Sequence, residues 1–60
     1  MFGLFDEVYD KDANIKGIIV SIVGKTYIVV WKNDVVGRVN MDDKAVEGTG
    51  RNLLVNYMRE

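Results

Sequence analysis

The stretch Gly17-Ile-Ile-Val-Ser-Ile-Val-Gly-Lys-Thr-Tyr-Ile-Val-Val-Trp-Lys-Asn-Asp-Val-Val-Gly-Arg-Val-Asn40 decides the fold of this chain. It is dominated by β-branched and aromatic side chains, which fit a pleated surface. Two short interruptions carry turn chemistry. Gly24-Lys25 supplies a glycine free to take positive φ, and Asn33-Asp34 supplies two residues that tolerate it. The pattern predicts three consecutive antiparallel strands, over residues 16–23, 26–32 and 35–41, with Gly37 as a bulge or bend.

Outward from this block the signals are shorter. Residues 1–9 carry two patterns, since Phe2, Phe5, Val8 and Tyr9 fit a helical stripe while the alternation is imperfect; an extended segment is favoured, because it enters a turn at Asp10-Lys-Asp-Ala-Asn14. Residues 42–48 read as a loop, with a helical turn at 43–46. In residues 51–59, Leu53, Leu54, Tyr57 and Met58 recur at helical spacing, and Thr49 is placed to cap such a helix. The rival reading of that segment is a closing strand with Leu53, Val55 and Tyr57 inward. The expected fold is therefore mainly β, a single domain over residues 1–60. It is a small antiparallel barrel or strongly bent meander, with a short C-terminal helix favoured.

A chain of 60 residues holds only a small core. The usual supplements are disulfides, a metal or oligomerisation. The sequence has no cysteine and no histidine, so disulfides are excluded and a structural zinc has neither thiolate nor imidazole to bind. Self-association into a homodimer or higher oligomer is the supplement left, and no cofactor is expected. The longest uncharged run, residues 17–24, falls well short of the ~20 residues of a membrane helix. A cytoplasmic protein without membrane contact is the expectation.

The formal net charge is −1, but the charges are unevenly placed. Asp6, Glu7, Asp10 and Asp12 crowd the first twelve residues, while Lys16, Lys25, Lys32 and Arg38 mark the strand block. Such spaced cations ordinarily solvate turns and protect sheet edges. The acidic overall balance disfavours avid binding to phosphate backbones, so nucleic acid is the weaker partner expectation.

The turns also set an expected register. A two-residue loop at Asn33-Asp34 puts Trp31 opposite Val36, Val29 opposite Arg38, and Tyr27 opposite Asn40. The other face then carries Ile28 and Val30 with Val35, Gly37 and Val39, all apolar, and is expected to be the core. An odd loop at Val23-Gly24-Lys25, with a bulge, adds Ile18, Val20 and Ile22 to that core.

The element Tyr27-Ile-Val-Val-Trp31 between two tight turns, within residues 17–40, resembles the Tudor and KOW subclasses of SH3-like barrels. The resemblance implies a small barrel that binds peptides, methylated side chains or nucleic acid. A Tudor-type cage needs three or four converging aromatics, and only Tyr27 and Trp31 share a face here. A KOW-type element would carry more basic residues around its loops.

The candidate binding face is accordingly Tyr27, Val29, Trp31, Val36, Arg38 and Asn40. It offers stacking area, a guanidinium and an amide, suited to a protein partner or a base. The competing reading packs Tyr27 and Trp31 under Phe2 and Phe5 or under the C-terminal segment. Other patterns break early. Asp10-x-Asp12-x-Asn14 opens like a calcium loop, but Ile15 and Ser21 stand where glycine and glutamate belong. Gly48-Thr-Gly50 lacks a phosphate-loop lysine. Ser21 and Thr49 have no imidazole to activate them, and Asp42 and Asp43 would point to opposite faces of a strand. A non-catalytic binding module is expected, with a nucleic-acid factor or a self-assembling structural protein as alternatives.

Overall fold

The computed structural model describes residues 2–54. Five strands follow one another: β1 (Asp6–Asp10), β2 (Ile15–Val23), β3 (Thr26–Trp31), β4 (Val36–Asn40) and β5 (Val46–Asn52). They form one antiparallel sheet in the order β4-β3-β2-β1-β5, with β4 and β5 at its two edges. The fold is mainly β, and the sheet is a bent meander not closed into a barrel. Its topology is compatible with a small barrel-like fold.

The turns explain the meander. Asp10 Oδ1 accepts the N–H groups of Asp12 at 2.9 Å and Ala13 at 3.2 Å, and Asn14 takes φ 54°. This is an Asx-type turn, not a calcium loop. Among the described residues no group of carboxylates is arranged to hold a metal ion.

Between β2 and β3 the loop is the two residues Gly24-Lys25, because Val23 pairs with Thr26. Gly24 takes φ 59°, the conformation a glycine allows at the first central position of a type II′ turn. The expected three-residue loop is absent here, and its extra residue appears farther along. The register shifts between the pairs Ile19↔Val29 and Ser21↔Ile28, which makes Val20 a bulge residue in the middle of β2. A bulge there bends the long strand and raises its twist.

The β3–β4 loop corrects the expected register. It contains three residues, since Val30 pairs with Val36 and Tyr27 with Val39. Asp34 adopts φ 66°, its N–H donates to the Trp31 carbonyl at 2.9 Å, and the Trp31 N–H donates to the Val35 carbonyl at 2.9 Å. Asn33 Oδ1 accepts the Val35 N–H at 3.2 Å. A turn closed by a left-handed residue is the three-residue hairpin solution. Because side chains alternate along a strand, this one-residue difference exchanges the faces.

The core consequently consists of Val8, Ile19, Tyr27, Val29, Val39 and Val46, with Phe2, Trp31 and Met41 packed against it. Phe2 lies over Tyr27 with ring centroids 5.6 Å apart, and its N–H donates to the Tyr27 hydroxyl at 3.1 Å. Trp31 fits because two glycines face it. A Cβ on Gly17 would meet Trp31 Cε3 at 2.7 Å, and one on Gly37 would meet Trp31 Nε1 at 2.8 Å. The indole thus lies across bare backbone of β2 and β4.

The expected C-terminal helix is also corrected over its first part. Arg51 and Asn52 belong to β5, because β1 has a second edge to satisfy. Asn52 Nδ2 donates to the Leu4 carbonyl at 3.0 Å and to Asp6 Oδ1 at 2.6 Å, and the Leu53 N–H donates to the Phe5 carbonyl at 2.9 Å. Leu53 and Leu54 turn helical; residues 55–59 of the expected helix lie outside the described residues. Thr49 is a strand residue, not a cap. Strand β5 also starts at Val46, inside the stretch expected to be a loop.

Candidate functional site

The register of the second hairpin divides the six expected site residues between the two faces. Tyr27, 2% exposed, and Val29 are interior, and Trp31 is half-buried on that same inner face. Val36, Arg38 and Asn40 are exposed on the outer face of β4. The single aromatic-basic plane expected from sequence is therefore not formed. Tyr27 is core under Phe2, as the competing reading had it, while Trp31 stays half-buried against Gly17 and Gly37.

The outer face of β2, β3 and β4 is built from three cross-strand rows. Ile18, Val30 and Val36 form the first, Ser21, Ile28 and Arg38 the second, and Val23, Thr26 and Asn40 the third. Five of these nine side chains are aliphatic, and Val36 and Val23 are 64% and 63% exposed. Val23, Thr26, Ile28 and Arg38 line one open depression. Arg38 is exposed, with no ion pair to any of the described residues. An aliphatic floor around a free guanidinium suits an apolar side chain flanked by a carboxylate.

A second depression lies at the seam of β1 and β5, lined by Phe2, Asp6, Glu7, Gly48, Gly50 and Arg51. Glu7 is 7% exposed and accepts the Thr49 hydroxyl at 2.8 Å. Asp6 accepts the Asn52 amide and, at 2.7 Å, the Gly3 N–H. Those two hydrogen bonds, the Asn52 bond first, hold its carboxyl below the ordinary carboxylate value despite the opposing effect of burial. Each carboxylate is occupied in stitching the strands where the β1–β5 register shifts between Asp6 and Val8.

The outer aliphatic rows were missed because the loop at Asn33-Asp34 was counted as two residues. The signal available was the pair of glycines, Gly17 and Gly37, at positions where a large ring needs space. Placing Trp31 on their face would have given the observed register.

No protein-family model, no curated protein and no solved structure matches the chain. Among the described residues, no helix is long and apolar enough to cross a membrane.

Proposed function

We propose that the chain is a non-catalytic module that binds a protein partner through the outer face of β2, β3 and β4, with Arg38 receiving a carboxylate. The observation that carries this reading is the exposed aliphatic patch around a guanidinium that has no ion pair among the described residues. Patches of this kind on small proteins mark interaction sites. An aliphatic rather than aromatic floor suits protein side chains better than bases, which bind by stacking. The strand order and the bulged, bent β2 support an SH3-like reading of the sheet. A cytoplasmic setting belongs to the same proposal.

The test compares capture of host proteins by tagged wild type with capture by Arg38→Glu and Val23→Asp, two exposed positions. Lys44→Glu, in the β4–β5 loop, serves as the surface control. A species retained by wild type and the control but lost from both face variants, with unchanged circular dichroism, supports the reading. Capture indifferent to both face changes overturns it. Salt-sensitive retention of single-stranded nucleic acid instead would replace it with the nucleic-acid alternative.

A further inference from the structure

The two edges of the sheet differ. On β5 the register against β1 shifts, Gly50 takes φ 86°, and the strand itself carries the exposed charges Glu47 and Arg51. Irregular backbone and charge are the ordinary protections of an edge strand. Strand β4 has neither a bulge nor a proline, and its register against β3 is unbroken from Val36 to Asn40.

The phase of its hydrogen bonds follows from its ends. Trp31 N–H donates to the Val35 carbonyl and Met41 N–H to the Lys25 carbonyl. Antiparallel ladders alternate hydrogen-bonded and non-hydrogen-bonded pairs. Gly37 and Val39 therefore bond to β3, while the N–H and C=O groups of Val36 and Arg38 point away from it, along an edge that no described strand covers; the Asn40 carbonyl instead accepts the Asp43 N–H at 3.0 Å.

We propose that this edge pairs antiparallel with the same edge of a second copy, about a two-fold axis through Gly37. That register sets Val36 opposite Arg38 of the other copy, twice, in hydrogen-bonded pairs. Each Arg38 then has the other copy's aliphatic Val36 directly beside its stem, and the two guanidinium groups stand on the longer diagonal instead of face to face. The register centred one residue farther on sets Arg38 against Arg38, like charge against like, and is disfavoured on that ground. At the axis Gly37 presents no side chain, and the inner side of that bare backbone is covered by Trp31. The axis is perpendicular to the sheet, so both outer faces lie on one side and their aliphatic rows become continuous. The pairing rests on the β4 edge and stands whether or not the outer face binds a partner.

The experiment has two arms on the full chain. In the first, sedimentation equilibrium over the micromolar range compares wild type with Val36→Pro. Proline removes an N–H that β3 does not use and is tolerated at an edge strand. Wild type is expected at twice the chain mass of 6.8 kDa, and Val36→Pro at the single mass with unchanged circular dichroism. Wild type at the single mass throughout overturns the proposal.

The second arm does not depend on the proline variant folding. The chain has no native cysteine, so Val36→Cys and Arg38→Cys chains are oxidised separately and mixed. The proposed register gives predominantly mixed cross-linked dimers, several-fold over either variant alone. Efficient dimers from Arg38→Cys alone, or no enrichment in the mixture, overturn it.

Discussion

Gly17→Ala tests the packing of the inner face most sharply. In an open strand this change should stabilise by about 0.4–1 kcal/mol, because alanine restricts the unfolded chain. Here the added Cβ would stand 2.6 Å from Val29 Cγ1, 2.7 Å from Trp31 Cε3 and 3.0 Å from the Val30 carbonyl oxygen. Overpacking of that kind costs about 1–3 kcal/mol, and the carbonyl belongs to a paired strand that yields little. The clash outweighs the entropy gain, and a net loss of about 1–2 kcal/mol is expected. Val29→Ala alone removes two buried methyl groups, worth about 0.8 kcal/mol each in transfer, and with its cavity costs about 2 kcal/mol.

The double variant distinguishes this packing from a general effect of altering β2. Val29→Ala deletes the nearest clashing atom, so the new Cβ occupies part of the vacated space. Relief is partial, because Trp31 and the Val30 carbonyl stay in place. A favourable coupling of about 1 kcal/mol is expected, within the range for residues in contact. Urea denaturation followed by far-ultraviolet circular dichroism measures all four corners of the cycle at fixed chain concentration. In a domain this small, 1 kcal/mol corresponds to about 4–8 °C in melting temperature. Additivity within about 0.5 kcal/mol, or a stabilising Gly17→Ala, would refute the assignment of Gly17, Val29 and Trp31 to one packed face.

Further outcomes are expected at three positions. Tyr27→Phe should cost about 1 kcal/mol, the net value of a hydrogen bond, here the one from the Phe2 N–H. Tyr27→Ala should cost about 3–5 kcal/mol, against at most about 0.5 kcal/mol for a surface residue; thermal melts separate the two cases. Gly24→Ala should lower the melting temperature, because a non-glycine residue at φ 59° is strained, whereas Lys25→Ala in the same loop should change it little. Folding lowers the Asp6 pKa, so its stabilisation is complete above the unfolded chain's value and is lost as pH falls through the folded one. Asp6→Asn should therefore be less stable than wild type at neutral pH, with the gap closing in acid; a gap that widens below pH ~4 contradicts the sign.

Much of the sheet was legible from residue type. Runs of valine and isoleucine between Gly24-Lys25 and Asn33-Asp34 located the three central strands to within a residue or two, because β-branched side chains and left-handed-tolerant turn residues act locally. The N-terminal segment was legible as extended only from Asp6 onward, through the turn that follows it; Leu4 and Phe5 turn instead, Phe5 at φ 66°. The candidate site was not, since its composition depends on parity. Counting the second loop as two residues placed Tyr27 and Val29 outside, whereas the left-handed Asp34 makes it three and places them inside.

Alone, the amino-acid order determined the class of this protein: a small antiparallel β domain without thiol or imidazole. Those are properties of side-chain chemistry and short-range backbone preference. Tertiary structure decided which side of each strand is hidden, because that depends on fitting one indole against two distant glycines. It also decided that Arg51 and Asn52 extend a strand. That outcome requires β1, more than forty positions earlier in the chain, to offer its unpaired edge.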